Sequence, residues 1–90
     1  MQIITLDGRR MTTRRETHLY LAQTLRFPLY YGRNLDALAD CLSEFCGDTI
    51  LILQHDGALR TNLGEYGERL ITLLETVAKT SSLRFFVDPT

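Results

Sequence analysis

No apolar run in this 90-residue chain approaches the ~18 residues that a membrane-spanning helix needs. Met1-Gln2-Ile3-Ile4-Thr5-Leu6 also lacks the basic region that opens a secretory signal. No membrane partner is therefore expected, and a cytoplasmic location is. Cysteine is scarce. Cys41 and Cys46, near the end of one expected helix, turn to different faces, so both read as reduced thiols. With only two histidines in the chain, a metal site has no basis, and no cofactor is expected. An excess of one charge is missing too. Lys and Arg number 10 against 11 Asp and Glu, and the resulting net charge of -1 predicts neither a general affinity for nucleic acid nor a polyacidic tail. Internal repeats, linkers and low-complexity stretches are absent. The remaining balance, 44% hydrophobic and 23% charged, suits one domain over residues 1–90 with a single core.

Ile3 to Leu6 form a short β-branched run that Asp7-Gly8 closes, a first strand ended by a turn pair. Thr13-x-x-Glu16 has the form of a capping box and predicts a helix from Arg14 to about Arg26, with His18, Leu21, Ala22 and Leu25 facing the core. Pro28 stops it. Thr49 to Gln54 is a continuous apolar run bounded by turn signals, the pattern of a central strand. After a turn at His55-Asp56-Gly57, Ala58 to Leu63 is weakly helical. Tyr66, Leu70, Leu73, Leu74, Val77 and Ala78 then trace a strong helical stripe from about Glu65 to Lys79. Leu83 to Val87 is the last strand, closed by Pro89. Strands separated by helices of crossover length imply an α/β fold, a three-stranded parallel sheet with about four helices packed on one face.

Between the first helix and the central strand lies the stretch from Pro28 to Leu42. Asn34 offers a side-chain oxygen at a helix start, Asp36 falls in the first turn, and Leu35, Leu38, Leu42 and Phe45 recur at the spacing that buries one face. Asp36 and Asp40 then lie together on another face. Like charges at this spacing cost a helix roughly 0.2–0.5 kcal/mol, and only Asp36 is near enough to the N-terminus for the dipole to offset that. Asp40 is placed against local stability. Two readings stay open on these residues alone: ordinary solvated acids, or an acidic patch rimmed by Tyr30 and Tyr31 for a basic partner.

The segment Tyr30-Tyr31-Gly32-x-Asn34-Leu35-Asp36-Ala37-Leu38-x-Asp40-Cys41-Leu42 resembles the core of the barstar family of intracellular ribonuclease inhibitors. A weaker resemblance, carried by the opening strand, His18 and the short final strand, extends over the whole chain. It implies the two-layer barstar-like fold with strand order 1-2-3, and a partner, a ribonuclease with a basic active-site cleft. It further implies that Tyr30, Gly32, Asn34, Leu35, Asp36, Ala37, Ala39 and Asp40 form the contact surface. The chain departs from the family at Ala39, where barstar has tryptophan, and at Arg33, a base in place of an acid. The last helix departs as well, with Thr76 and Thr80 where barstar has acids.

Other chemistry is weaker. His55-Asp56 sits at the end of the central strand, where catalytic groups often occur, but no nucleophile at a telling spacing joins it, so the chain reads as no enzyme. The alternative to inhibition is a small RNA-binding or protein-interaction adaptor using Arg9, Arg10, Arg14 and Arg15. That cluster has no interleaved aromatics and no glycine-rich phosphate loop, so direct nucleic-acid binding is the disfavoured reading.

Overall fold

Alternation of side chains along three short strands builds a sheet with one covered face. In this computed structural model, which describes residues 1–44 and 48–88, β1 (Gln2–Asp7), β2 (Thr49–Gln54) and β3 (Leu83–Asp88) pair in parallel in the order 1-2-3. Ile4, Leu51 and Phe85 stand in register, as do Leu6, Leu53 and Val87. These residues point toward the helices. On the opposite face Ile3 and Phe86 remain 57% and 55% exposed. The roles expected of Phe45, Cys46 and Pro89 lie outside the described residues.

Four helices are present among the described residues: α1 (Arg14–Leu25), α2 (Leu35–Ser43), α3 (Asp56–Leu63) and α4 (Glu65–Thr80). None is long and apolar enough to cross a membrane. Their leucines close the core over the sheet. Leu21, Leu38, Leu42, Leu59, Leu70 and Leu74 are buried with Leu6, Leu51, Leu53 and Leu83, each side chain contributing roughly 1.5–3 kcal/mol of transfer free energy. Of the expected stripes, His18, Leu21 and Leu25 of α1 and Leu70, Leu74 and Val77 of α4 are buried, Ala22, Tyr66, Leu73 and Ala78 are half-buried, and Thr17, Gly67 and Ile71 join the buried set. Thr17 is admitted because its hydroxyl donates to the Thr13 carbonyl at 2.6 Å, so no polar atom is stranded.

Two local expectations need correction. Asp7-Gly8 does not make a simple turn: Asp7 caps a 3-10 turn over Gly8–Arg10 by accepting from the Arg9 amide at 2.9 Å. Nor does α3 wait for Ala58. It starts at Asp56, because His55 takes a left-handed conformation (φ 56°) and reverses the chain in one residue. The two features meet. A Cβ added at Gly8 would lie 2.3 Å from the His55 carbonyl oxygen, a backbone atom that cannot rotate away. Gly8→Ala is therefore expected to cost about 3 kcal/mol, at the upper end of overpacking penalties, read from the urea midpoint at unchanged m-value.

Candidate functional site

The surface that the acidic helix presents is fixed from beneath by its leucines. Leu38 and Leu42 are fully buried and hold α2 down, which leaves Asp36 and Asp40 exposed one turn apart. Asn34 caps the helix as expected, its Oδ1 accepting from the Ala37 amide at 2.8 Å. The same side chain turns back on the loop, where its Nδ2 donates to the Gly32 carbonyl at 3.3 Å. Gly32 is packed closely: a Cβ there would come within 3.2 Å of the Ala37 Cβ. The ion pairs among the described residues join Arg9 to Asp7 and Arg60 to both Asp56 and Glu68. Asp36 and Asp40 belong to none of them.

The loop and α2 enclose two separate hollows. One, of about 270 Å³, brings Tyr30, Gly32, Ala37 and Asp40 together with Tyr31 and Cys41. The second, of about 330 Å³, takes Asn34, Leu35 and Asp36 and adds Arg14, Arg33, Tyr66 and Arg69. Ala39 joins neither and packs half-buried against the core. Tyr30 is 86% exposed, an aromatic free to meet a partner. Tyr31 is not its companion at the rim. It is 7% exposed, with its ring 4.8 Å from that of Phe27, so the loop presents one tyrosine and is pinned by the other. The thiol of Cys41 is pushed up by burial first and then by Glu44 and Asp40, which keeps it protonated.

The pin extends through His18. Its Nδ1 lies 2.6 Å from the Tyr31 hydroxyl and its Nε2 2.6 Å from the Tyr66 hydroxyl, joining α1, the loop and α4 through one buried ring. A neutral imidazole donates through one nitrogen and accepts through the other. Burial raises the pKa of both tyrosines, so each hydroxyl stays protonated and available as a donor. Sequence reasoning placed His18 on the core face but not this link, which depends on residues 13 and 48 positions away.

Burial also holds the His18 pKa below the ordinary 6.5. The unfolded chain then binds this proton at a higher pH than the folded one. The stability it contributes is complete above about pH 6.5 and is lost as the pH falls from there through the folded value. Urea unfolding at about pH 7.5 and 5.5 is expected to show lower stability at the acid value, and a smaller fall in His18→Gln. Equal falls in both proteins would contradict this assignment.

The arginine cluster seen in the sequence is divided by the fold. Arg9 pairs with Asp7 at 3.0 Å, Arg10 lies over the Tyr20 ring at 5.1 Å, and Arg14 lies over the Tyr66 ring at 4.4 Å. In α4 the Thr76 hydroxyl donates to the Thr72 carbonyl at 2.8 Å and the Thr80 hydroxyl to the Val77 carbonyl at 3.4 Å, so both turn to their own backbone. Arg33 and Arg69, which sequence reasoning did not place at this surface, line the second hollow. Only the folded chain brings them together, although the charge reversal at Arg33 was a visible signal. Among the described residues no group of three or more His, Cys, Asp or Glu is placed to hold a metal ion.

Comparison with known proteins identifies the family. Residues 1–87 match the family described as Barstar (barnase inhibitor). The chain is also 37% identical over 76 residues to the Bacillus subtilis (strain 168) protein named "Putative ribonuclease inhibitor YrdF", covering 83% of this chain and 84% of that one.

Proposed function

This chain belongs to the barstar family, and on that premise we propose that it is an intracellular inhibitor that closes the active-site cleft of a ribonuclease. It acts as a single domain over residues 1–90, in the cytoplasm, and as a binding protein rather than an enzyme. The observation that carries the reading is the pair of exposed carboxylates on α2, joined to no cation within ion-pair distance among the described residues and flanked by the protruding Tyr30. A ribonuclease must present cations to hold a phosphodiester, and a carboxylate can take the phosphate position through charge-assisted hydrogen bonds. Asp40 fills that role. Asp36 pairs at the edge, Tyr30 supplies aromatic contact, and Gly32, Ala37 and Ala39 let the partner approach closely. Asn34 and Leu35 set the start of the helix.

The tagged chain, used to capture proteins from its native lysate, is expected to retain a ribonuclease and to suppress the RNA-degrading activity of the eluted partner. Recovery of no ribonuclease, with RNA degradation unchanged when the chain is added, would sink the proposal. The acids serve binding and not folding, so Asp40→Ala is expected to stay within ~0.5 kcal/mol of wild type in urea unfolding, as exposed substitutions usually do. A loss of several kcal/mol would show instead that Asp40 holds the fold.

A further inference from the structure

Beside the acidic face stands a pocket with three arginines that the inhibitory contact described above does not use. Arg14 comes from α1, Arg33 from the loop and Arg69 from α4, and all three line one hollow with Asp36 and Tyr66. The pocket is pre-set. The Arg14 guanidinium lies 4.4 Å from the centre of the Tyr66 ring, and that ring is tied through its hydroxyl to buried His18 at 2.6 Å. Arg33 immediately precedes the capping Asn34. None of the three arginines makes an ion pair within the described residues. Three cations facing one carboxylate, Asp36, leave an excess of positive charge, open to solvent and one helical turn from Asp40.

We propose that this pocket receives a carboxylate side chain of the ribonuclease, and that it selects among ribonucleases by the sign of the charge opposite it. The inference rests on the inhibitory reading, since Asn34, Leu35 and Asp36 belong both to the pocket and to the face the ribonuclease covers. Guanidinium groups match a carboxylate in a planar, two-point fashion. An RNA phosphate has similar chemistry, but the site disfavours a strand. Asp36 would repel the backbone, and Arg14 already occupies a face of the Tyr66 ring on which a base would stack. A cleft that is cationic throughout meets like charge here and is inhibited more weakly, which is specificity built from repulsion.

Barnase is the probe, because an enzyme that grips RNA phosphates presents cations at its cleft. Inhibition of barnase is measured with wild type, Arg33→Glu, Arg69→Glu and Asp40→Ala. In parallel, fluorescence anisotropy follows a 2′-O-methyl RNA oligonucleotide mixed with the chain alone. Each arginine reversal is expected to strengthen inhibition by about tenfold or more, Asp40→Ala to weaken it, and the oligonucleotide to stay unbound. Reversals that leave inhibition unchanged or weaken it overturn the pocket's role. If Asp40→Ala still loses inhibition in that case, the inhibitory face stands and only the pocket falls. If Asp40→Ala is also without effect, both fall. Oligonucleotide binding that Arg33→Glu or Arg69→Glu abolishes would overturn the proposal in favour of a phosphate site.

Discussion

Asp40→Ala is expected to release the native ribonuclease at least ~30-fold faster than wild type while the association rate changes far less. Truncating one member of a desolvated, hydrogen-bonded charge pair generally costs about 2–5 kcal/mol, a range to which the barnase–barstar pair has itself contributed and which is borrowed here. The loss falls on dissociation because the pair forms only after docking. Asp40 is suited to this. It is exposed in the free chain and joined to none of the described ion pairs, so no cation among the described residues competes for it. Long-range steering is muted by a net charge of -1, and added salt should slow association only modestly. Stopped-flow association and displacement at several salt concentrations separate the two rates. An Asp40→Ala protein with unchanged dissociation would remove Asp40 from the interface.

A structural effect as large as that of Gly8→Ala is expected from His18→Ala, at about 3 kcal/mol. That figure combines the cavity left by a buried ring with two tyrosine hydroxyls deprived of their partner. For a chain of this size it corresponds to a fall in Tm of roughly 12–24 °C. Tyr66→Phe, which removes a single hydroxyl from the same link, should cost only about 1 kcal/mol. The functional consequence is local. Tyr31 is held by His18 and Phe27, so the loop that carries Tyr30 and Gly32 should lose its fixed shape before the sheet is affected. Hydrogen exchange at the Tyr30 to Gly32 amides is expected to accelerate in His18→Ala at temperatures where the β2 amides remain protected. Uniform acceleration across loop and sheet would show that His18 supports the whole fold and not the loop in particular.

Much of this was legible in the sequence because its signals are local. Asn34 at the helix start, the capping pair Thr13 and Glu16, and the apolar run of β2 each act within a few residues, and each appears where its pattern places it. The parallel direction of the three strands follows from the length of the connections between them, while their order, 1-2-3, is the one that the barstar resemblance implies. The early start of α3 was hidden because it depends on His55 adopting a left-handed conformation usually left to glycine. Tyr30 and Tyr31 are chemically alike and adjacent, and it is the contacts with His18 and Phe27 that select Tyr31 for burial. The cationic pocket was invisible for the same reason: Arg14, Arg33 and Arg69 lie on three elements. In the sequence Arg14 belonged to a different cluster, one that the Tyr20 and Tyr66 rings pull apart.

Active-site blockade by α2 is tested most directly by initial rates of RNA cleavage by the captured ribonuclease, measured with increasing amounts of the chain at several RNA concentrations. A chain that occupies the cleft competes with substrate. Inhibition is expected to saturate at one chain per enzyme, with an apparent inhibition constant that rises in proportion to RNA concentration, and Asp40→Ala should require far more protein for the same effect. Inhibition independent of RNA concentration, or equal inhibition by Asp40→Ala, would contradict it.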